Sequence, residues 1–152
     1  MNIKDLELHS SAFETLQTIP KRYTSDGENV SPSLEWSGLP SGTQQLAIIC
    51  HDPDAPLPLG FTHWLLYNIP PTVQQLAEAG GDQFTEGINS SNEVGYTGPA
   101  PPQGHGMHHY YFWLYALDTE LELKPGLHRE QILNAIADHV LEQARLVGLY
   151  QR

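Results

Sequence analysis

The chain has 152 residues, enough for one domain that buries about two-thirds of the surface its unfolded form exposes. Its 18 acidic side chains outnumber 7 basic ones, for a formal charge of −11 with histidines neutral, which argues against nucleic acid or an anionic membrane surface as a partner. A single cysteine, Cys50, excludes an internal disulfide, and no stretch approaches the roughly 18 apolar residues of a membrane span.

Met1 to Glu7 holds no basic segment followed by an apolar run, so no leader and no stable membrane insertion are expected, and the chain reads as cytoplasmic. Two turn clusters, Ser25-Asp26-Gly27-Glu28-Asn29 and Gly38-Leu39-Pro40-Ser41-Gly42, bracket a short Leu34-Glu35-Trp36 strand. Gln45 to His51 reads as the next strand. At period two Leu46, Ile48 and Cys50 share a face with Asp52, which emerges at the strand end. The following Asp52-Pro53-Asp54-Ala55-Pro56 is stiffened by two prolines and presents two carboxylates; it reads as a site or as an Asx-type turn with solvated acids.

His63 to Ile69 is a further strand, stopped by Pro70-Pro71, with His63, Leu65 and Tyr67 on one face and Trp64, Leu66 and Asn68 on the other. His63 at its head is a site candidate, or simply a hydrogen-bonded or surface histidine. Val73, Leu76 and Ala77 predict a short helix between Thr72 and Gly81, and Phe84 to Tyr96 reads as loop.

Gly98 to Asp118 joins a proline- and glycine-rich loop to an aromatic strand. Such a loop exposes backbone N–H groups, while the strand from Met107 to Leu117 puts His108 and Tyr110 on one face beneath it. The alternative is a tight loop before an ordinary aromatic strand. Apolar residues on both faces of this strand predict a central position, covered on each side. Ile132, Ile136, Val140, Ala144 and Val147, with Leu133 and Leu141, predict a C-terminal amphipathic helix that Gly148 terminates and that begins without a strong cap. Neither a repeat nor a linker divides residues 1–152, and strands separated by loops predict a mainly β, antiparallel core with a docked helix.

Asp52-Pro53-Asp54-Ala55-Pro56, then His63-Trp64, then Gly98-Pro99-Ala100-Pro101-Pro102 and His108-His109-Tyr110 resemble the ordered signature of the phosphatidylethanolamine-binding proteins, most closely their bacterial, Raf-kinase-inhibitor-like branch. Ser31-Pro32-Ser33-Leu34-Glu35-Trp36 and the C-terminal Leu149-Tyr150 extend the resemblance over nearly the whole chain. It implies a β-sandwich-like fold of one large and one small sheet. It also implies a pocket for small phosphorylated or carboxylated ligands, built from Asp52, Asp54, His63, Ala100, Pro101, Pro102, His108 and Tyr110, with no cofactor. The family often has glycine where Ala100 stands, so a methyl group narrows the approach to that N–H. The family names imply a kinase or protease as a protein partner, and aromatics near Trp113, Tyr115 and Tyr150 fit a homodimer or core packing.

The residues support the same chemistry on their own. A loop N–H, an imidazole and a tyrosine O–H supply several donors to phosphate without lysine, and Asp52 serves to orient a histidine or to face an ammonium. Binding is expected to tighten as His63 and His108 protonate near the ordinary value of about 6.5. The rival reading is a metal-dependent hydrolase using His63, His105, His108, His109 and the aspartates. No Gly-x-Ser-x-Gly is present, and Cys50 inside a strand reads as a small core hydrophobe.

Overall fold

The computed structural model describes residues 5–152; Met1 to Lys4, and with them much of the stretch read for a leader, lie outside the described residues. In chain order the strands are β1 (Glu7–His9), β2 (Gln17–Thr18), β3 (Leu34–Ser37), β4 (Gln45–Asp52), β5 (Phe61–Ile69), β6 (Gln75–Leu76), β7 (Thr85–Glu86), β8 (His108–Leu117) and β9 (Val140–Tyr150), with one α-helix among the described residues, α1 (Arg129–Ile136), before the last. They form a six-stranded sheet in the order β2-β9-β8-β4-β5-β7 and a three-stranded sheet in the order β1-β3-β6. The predicted large and small sheets are therefore present. Their pairings are antiparallel except that β2 runs parallel to β9.

Strand β4 is buried along its whole length because it sits between two cores. Leu46, Ile48 and Cys50 face the small sheet, where Leu8, Leu34, Trp36 and Leu76 meet Trp64, Leu66, Phe112 and Leu114. Ala47 and Ile49 face the other way and, with Leu65, Tyr67 and Leu117, receive Ile132 and Ile136 from α1. An eight-residue helix is marginal alone; two buried isoleucines, worth about 1.5–3 kcal/mol each, hold it against the sheet.

The face assignments of β5 need correction, because the strand carries two β-bulges. Cys50 pairs with Trp64 while His51 pairs with Thr62, so His63 is the extra residue and turns away from the face of Leu65 and Tyr67. Its ring lies 5.1 Å from that of Tyr110, on the side of the first core. The second bulge lies at Asn68, with φ 56°, whose amide donates to the Leu123 carbonyl and the Thr85 hydroxyl instead of following Trp64 and Leu66.

The C-terminal helix stops at Ile136, and Val140 to Tyr150 is a strand along β8. The predicting residues recur mostly four apart, and four is a multiple of the strand period as well as close to a helical turn, so that spacing does not discriminate. Gly148 is no helix stop. It lies inside β9, where an added Cβ would stand 2.4 Å from Ile19 Cγ1. Likewise Thr72 to Gly81 forms turns and the short β6, not a helix: the Val73 N–H donates to the Pro70 carbonyl, and Leu76 pairs with Leu34.

Strand β8 is central, between β4 and β9, but only one of its faces is fully covered. Tyr111, Trp113 and Tyr115 on the other form a half-buried stacked row, with the Arg145 guanidinium 5.9 and 5.8 Å from the first two rings.

Candidate functional site

The ends of β4, β5 and β8 reach one rim of the large sheet, where the loop after Thr97 overhangs a cavity of about 280 Å³. Asp52, His63, Ala100, Pro101, Pro102, His108 and Tyr110 line it; Asp54 does not. A larger groove of about 780 Å³ beside β9 is lined by residues such as Leu8, Phe13 and Leu146, and among the described residues no buried titratable side chain faces it. Convergent polar side chains on buried residues, here Asp52, His63, His108 and Tyr110, mark a ligand site better than volume does, so the smaller cavity is the candidate.

Asp52 closes the end of β4. Its Oδ1 accepts from the Asp54 N–H at 2.7 Å, the Asx turn that the sequence allowed, and its Oδ2 accepts from His108 Nδ1 at 2.7 Å. Both side chains are buried, at 4% and 2% exposure. The carboxylate thus fixes the hydrogen of His108 on Nδ1 and leaves Nε2 to face His105 Nδ1, 2.7 Å away on the exposed loop. Asp54 turns outward instead, where one oxygen accepts from both the backbone N–H and Nδ1 of His109 at 2.7 Å. Partial burial raises the Asp54 carboxyl, but the hydrogen bonds from His109 outweigh it and hold the group below its usual range.

His63 is the most constrained imidazole. Its Nδ1 lies 2.6 Å from the Thr97 carbonyl oxygen, its ring packs between those of Phe61 at 4.8 Å and Tyr110 at 5.1 Å, and the residue is 4% exposed. Desolvation by burial pushes its pKa down to about 4, against the Thr97 bond and with help from His51 and His108. Burial therefore works against the protonation of His63 near 6.5 that the sequence suggests. Tyr110 is 1% exposed, and burial, reinforced by Asp52, pushes its hydroxyl well above the ordinary range, so it stays an O–H donor. Among the described residues neither His63 Nε2 nor the Tyr110 hydroxyl has a hydrogen-bond partner, and both residues line the cavity. Phe61, Leu57 and Pro56 complete an apolar wall.

The overhanging loop is held by a part of the chain that carried no signal for this site. Gly98 donates its N–H to Asn29 Oδ1 at 2.7 Å, and a Cβ on it would lie 2.4 Å from the Tyr23 carbonyl oxygen, so only glycine fits. Ser25 donates to the Pro99 carbonyl from its N–H and its hydroxyl. Arg152 clamps Asp26 and accepts from the Gly104 N–H, while the Tyr150 hydroxyl donates to Asp26 and does not reach the cavity. The cluster at Ser25 to Asn29, legible in the sequence only as a turn, is the loop's anchor.

The rival hydrolase set is not assembled. Among the described residues no group of three or more His, Cys, Asp or Glu side chains is placed to hold a metal ion. His108 is bound to Asp52 and His105, His109 leaves on the opposite face with Asp54, and His63 is tied to Thr97. Cys50 is buried in the core with its thiol raised by desolvation and then by Asp52, which suits packing and not nucleophilic attack. No helix of the described residues is long and apolar enough to cross a membrane.

Comparison with known proteins extends this picture over the whole chain. A family model described as phosphatidylethanolamine-binding protein matches residues 9–151. The UPF0098 protein of Methanothermobacter thermautotrophicus is 48% identical over 153 residues, covering 97% of this chain and 99% of its own length. Its counterpart in Aquifex aeolicus is 40% identical over 97% of this chain and 89% of its own. Among solved structures, a phosphatidylethanolamine-binding protein homologue from Chlamydia trachomatis superposes with a TM-score of 0.91 at 37% identity, covering 97% of this chain and 98% of that one. An E. coli member of the mammalian family of these proteins superposes with a TM-score of 0.92 at 28% identity, over 98% and 99%.

Proposed function

The chain belongs to the phosphatidylethanolamine-binding protein family, and from that premise we propose that its cavity binds small phosphate-bearing or carboxylate ligands. The observation that carries this reading is a pair of polar atoms without protein hydrogen bonds, His63 Nε2 and the Tyr110 hydroxyl, on two largely buried residues that line one cavity of about 280 Å³. Neither atom is sealed from solvent, so a ligand's hydrogen bonds replace those to water, for a net gain of about 0.5–1.5 kcal/mol each. The volume suits a headgroup or a comparably small molecule. Proline walls and the anchored loop keep the cavity open before the ligand arrives, which lowers the ordering cost of binding.

Roles follow from position. Tyr110 donates to a ligand oxygen, and His63 fixes the group beside it. Asp52 holds His108 in one tautomer and discourages high negative charge in the cavity. Calorimetric titration with phosphoethanolamine tests the reading. Saturable one-to-one binding that weakens at least tenfold in Tyr110→Phe is expected; no heat of binding at any pH from 5.5 to 7.5 refutes it.

A further inference from the structure

The hydrogen on His63 is placed by its neighbour. A carbonyl oxygen can only accept, so the 2.6 Å contact with Thr97 puts the hydrogen on Nδ1 and leaves Nε2 as a lone pair turned to the cavity. A lone pair repels a bare anionic oxygen and attracts an O–H. We propose that the cavity takes the acid group of its ligand with a proton still on it. The ligand is then a phosphomonoester, or inorganic phosphate, in its monoanionic form, with its P–O–H donating to His63 Nε2 and a bare oxygen of the same group accepting from the Tyr110 O–H. The inference rests on the phosphate reading above and narrows it to a protonation state.

The titratable neighbours of His63 come from two strands. From β4, His51 and Asp52 face it, and from β8, His108 and Tyr110; the loop from Thr97 to Pro102 brings no titratable side chain. His51 is itself pushed down to about 4 by burial and then by Arg129, so it adds no positive charge at neutral pH. Asp52 lines the cavity and penalises a dianion more than a monoanion. The proton between ligand and His63 also has a clear owner. A phosphomonoester gives up its second proton near pH 6, roughly two units above the value of about 4 for His63, so the ligand keeps it. A phosphodiester has no P–O–H to offer and leaves the His63 lone pair unmatched.

The test compares phosphoethanolamine with glycerophosphoethanolamine, a diester of the same headgroup, by calorimetry on the native chain at pH 5.5, 6.5 and 7.5. Tighter binding of the monoester at pH 5.5 is expected, with an association constant that falls about tenfold for each pH unit above its second pKa, while the diester stays weak and flat. Inorganic phosphate run alongside separates a free-anion site from a headgroup site and must show the same fall displaced upward by about one pH unit, because its second pKa lies about that far above a monoester's. His63→Gln, whose amide offers a donor as well as an acceptor, flattens that slope; Tyr110→Phe weakens every probe and keeps it. Equal affinity for the two esters, or the same pH slope for both, overturns the inference, because a protein group would then be titrating. Failure of all three probes to bind at any pH overturns the phosphate reading, and this inference with it.

Discussion

Two aspartate-histidine pairs are made from one Asp-Pro-Asp turn and one His-His dipeptide, with the same 2.7 Å separation within each pair. Asp52–His108 is sealed, at 4% and 2% exposure, and Asp54–His109 is open to solvent, at 39% and 42%. Strand alternation alone sends His108 inward and His109 outward. Identical chemistry therefore has unequal consequences. The buried pair orders the cavity and would be costly to break, whereas the exposed pair is screened by water.

The largest expected effect comes from breaking the inner pair. Asp52→Ala leaves His108 buried without its acceptor and should destabilise the protein by about 3–5 kcal/mol in denaturant unfolding. Acid sharpens the contrast next, through His63 behind the inner pair. The unfolded chain protonates this residue near 6.5 and the folded one only near 4, so the unfolded state binds more protons across that window. Stability should fall as pH drops from about 6.5 to 4, by about 3 kcal/mol for 2.5 units, and His63→Gln should remove that part of the pH dependence. The smallest effect belongs to the outer pair: Asp54→Ala should cost below about 1 kcal/mol and leave phosphoethanolamine affinity within a factor of two. The Asp54 carboxyl is depressed in the folded state, so its contribution is present above the ordinary carboxylate value and disappears as pH falls through the folded one. An Asp54 effect as large as that of Asp52 would erase the distinction.

The sequence made this rim visible because its parts are short, local and chemically unusual. Prolines fix the turn after Asp52 and the loop before His108, and period two puts His108 and Tyr110 on one face. What stayed hidden depends on distant pairing. The bulge that turns His63 toward Tyr110 adds no composition signal; it exists only in the register of β4 against β5. Asn29, Ser25 and Asp26 anchor a loop 69 or more residues away, and nothing in a turn cluster reveals its partner. The segment from Val140 to Tyr150 carries a spacing of four that suits a helix and a strand alike; pairing along β8 and the packing of Ile19 on Gly148 decide it. Burial likewise reversed the expectation for His63. A residue type near 6.5 in water becomes a neutral acceptor once Phe61, Tyr110 and Thr97 enclose it.

The central claim, that His63 and Tyr110 together receive a ligand's phosphoryl group, is tested most directly by a crystal structure of the protein soaked with phosphoethanolamine. The account predicts phosphate density inside the cavity with separate oxygens within hydrogen-bond distance of His63 Nε2 and the Tyr110 hydroxyl, and the Asp52–His108 bond intact. Phosphate density bound elsewhere with the cavity empty, or density that meets neither atom, would contradict it.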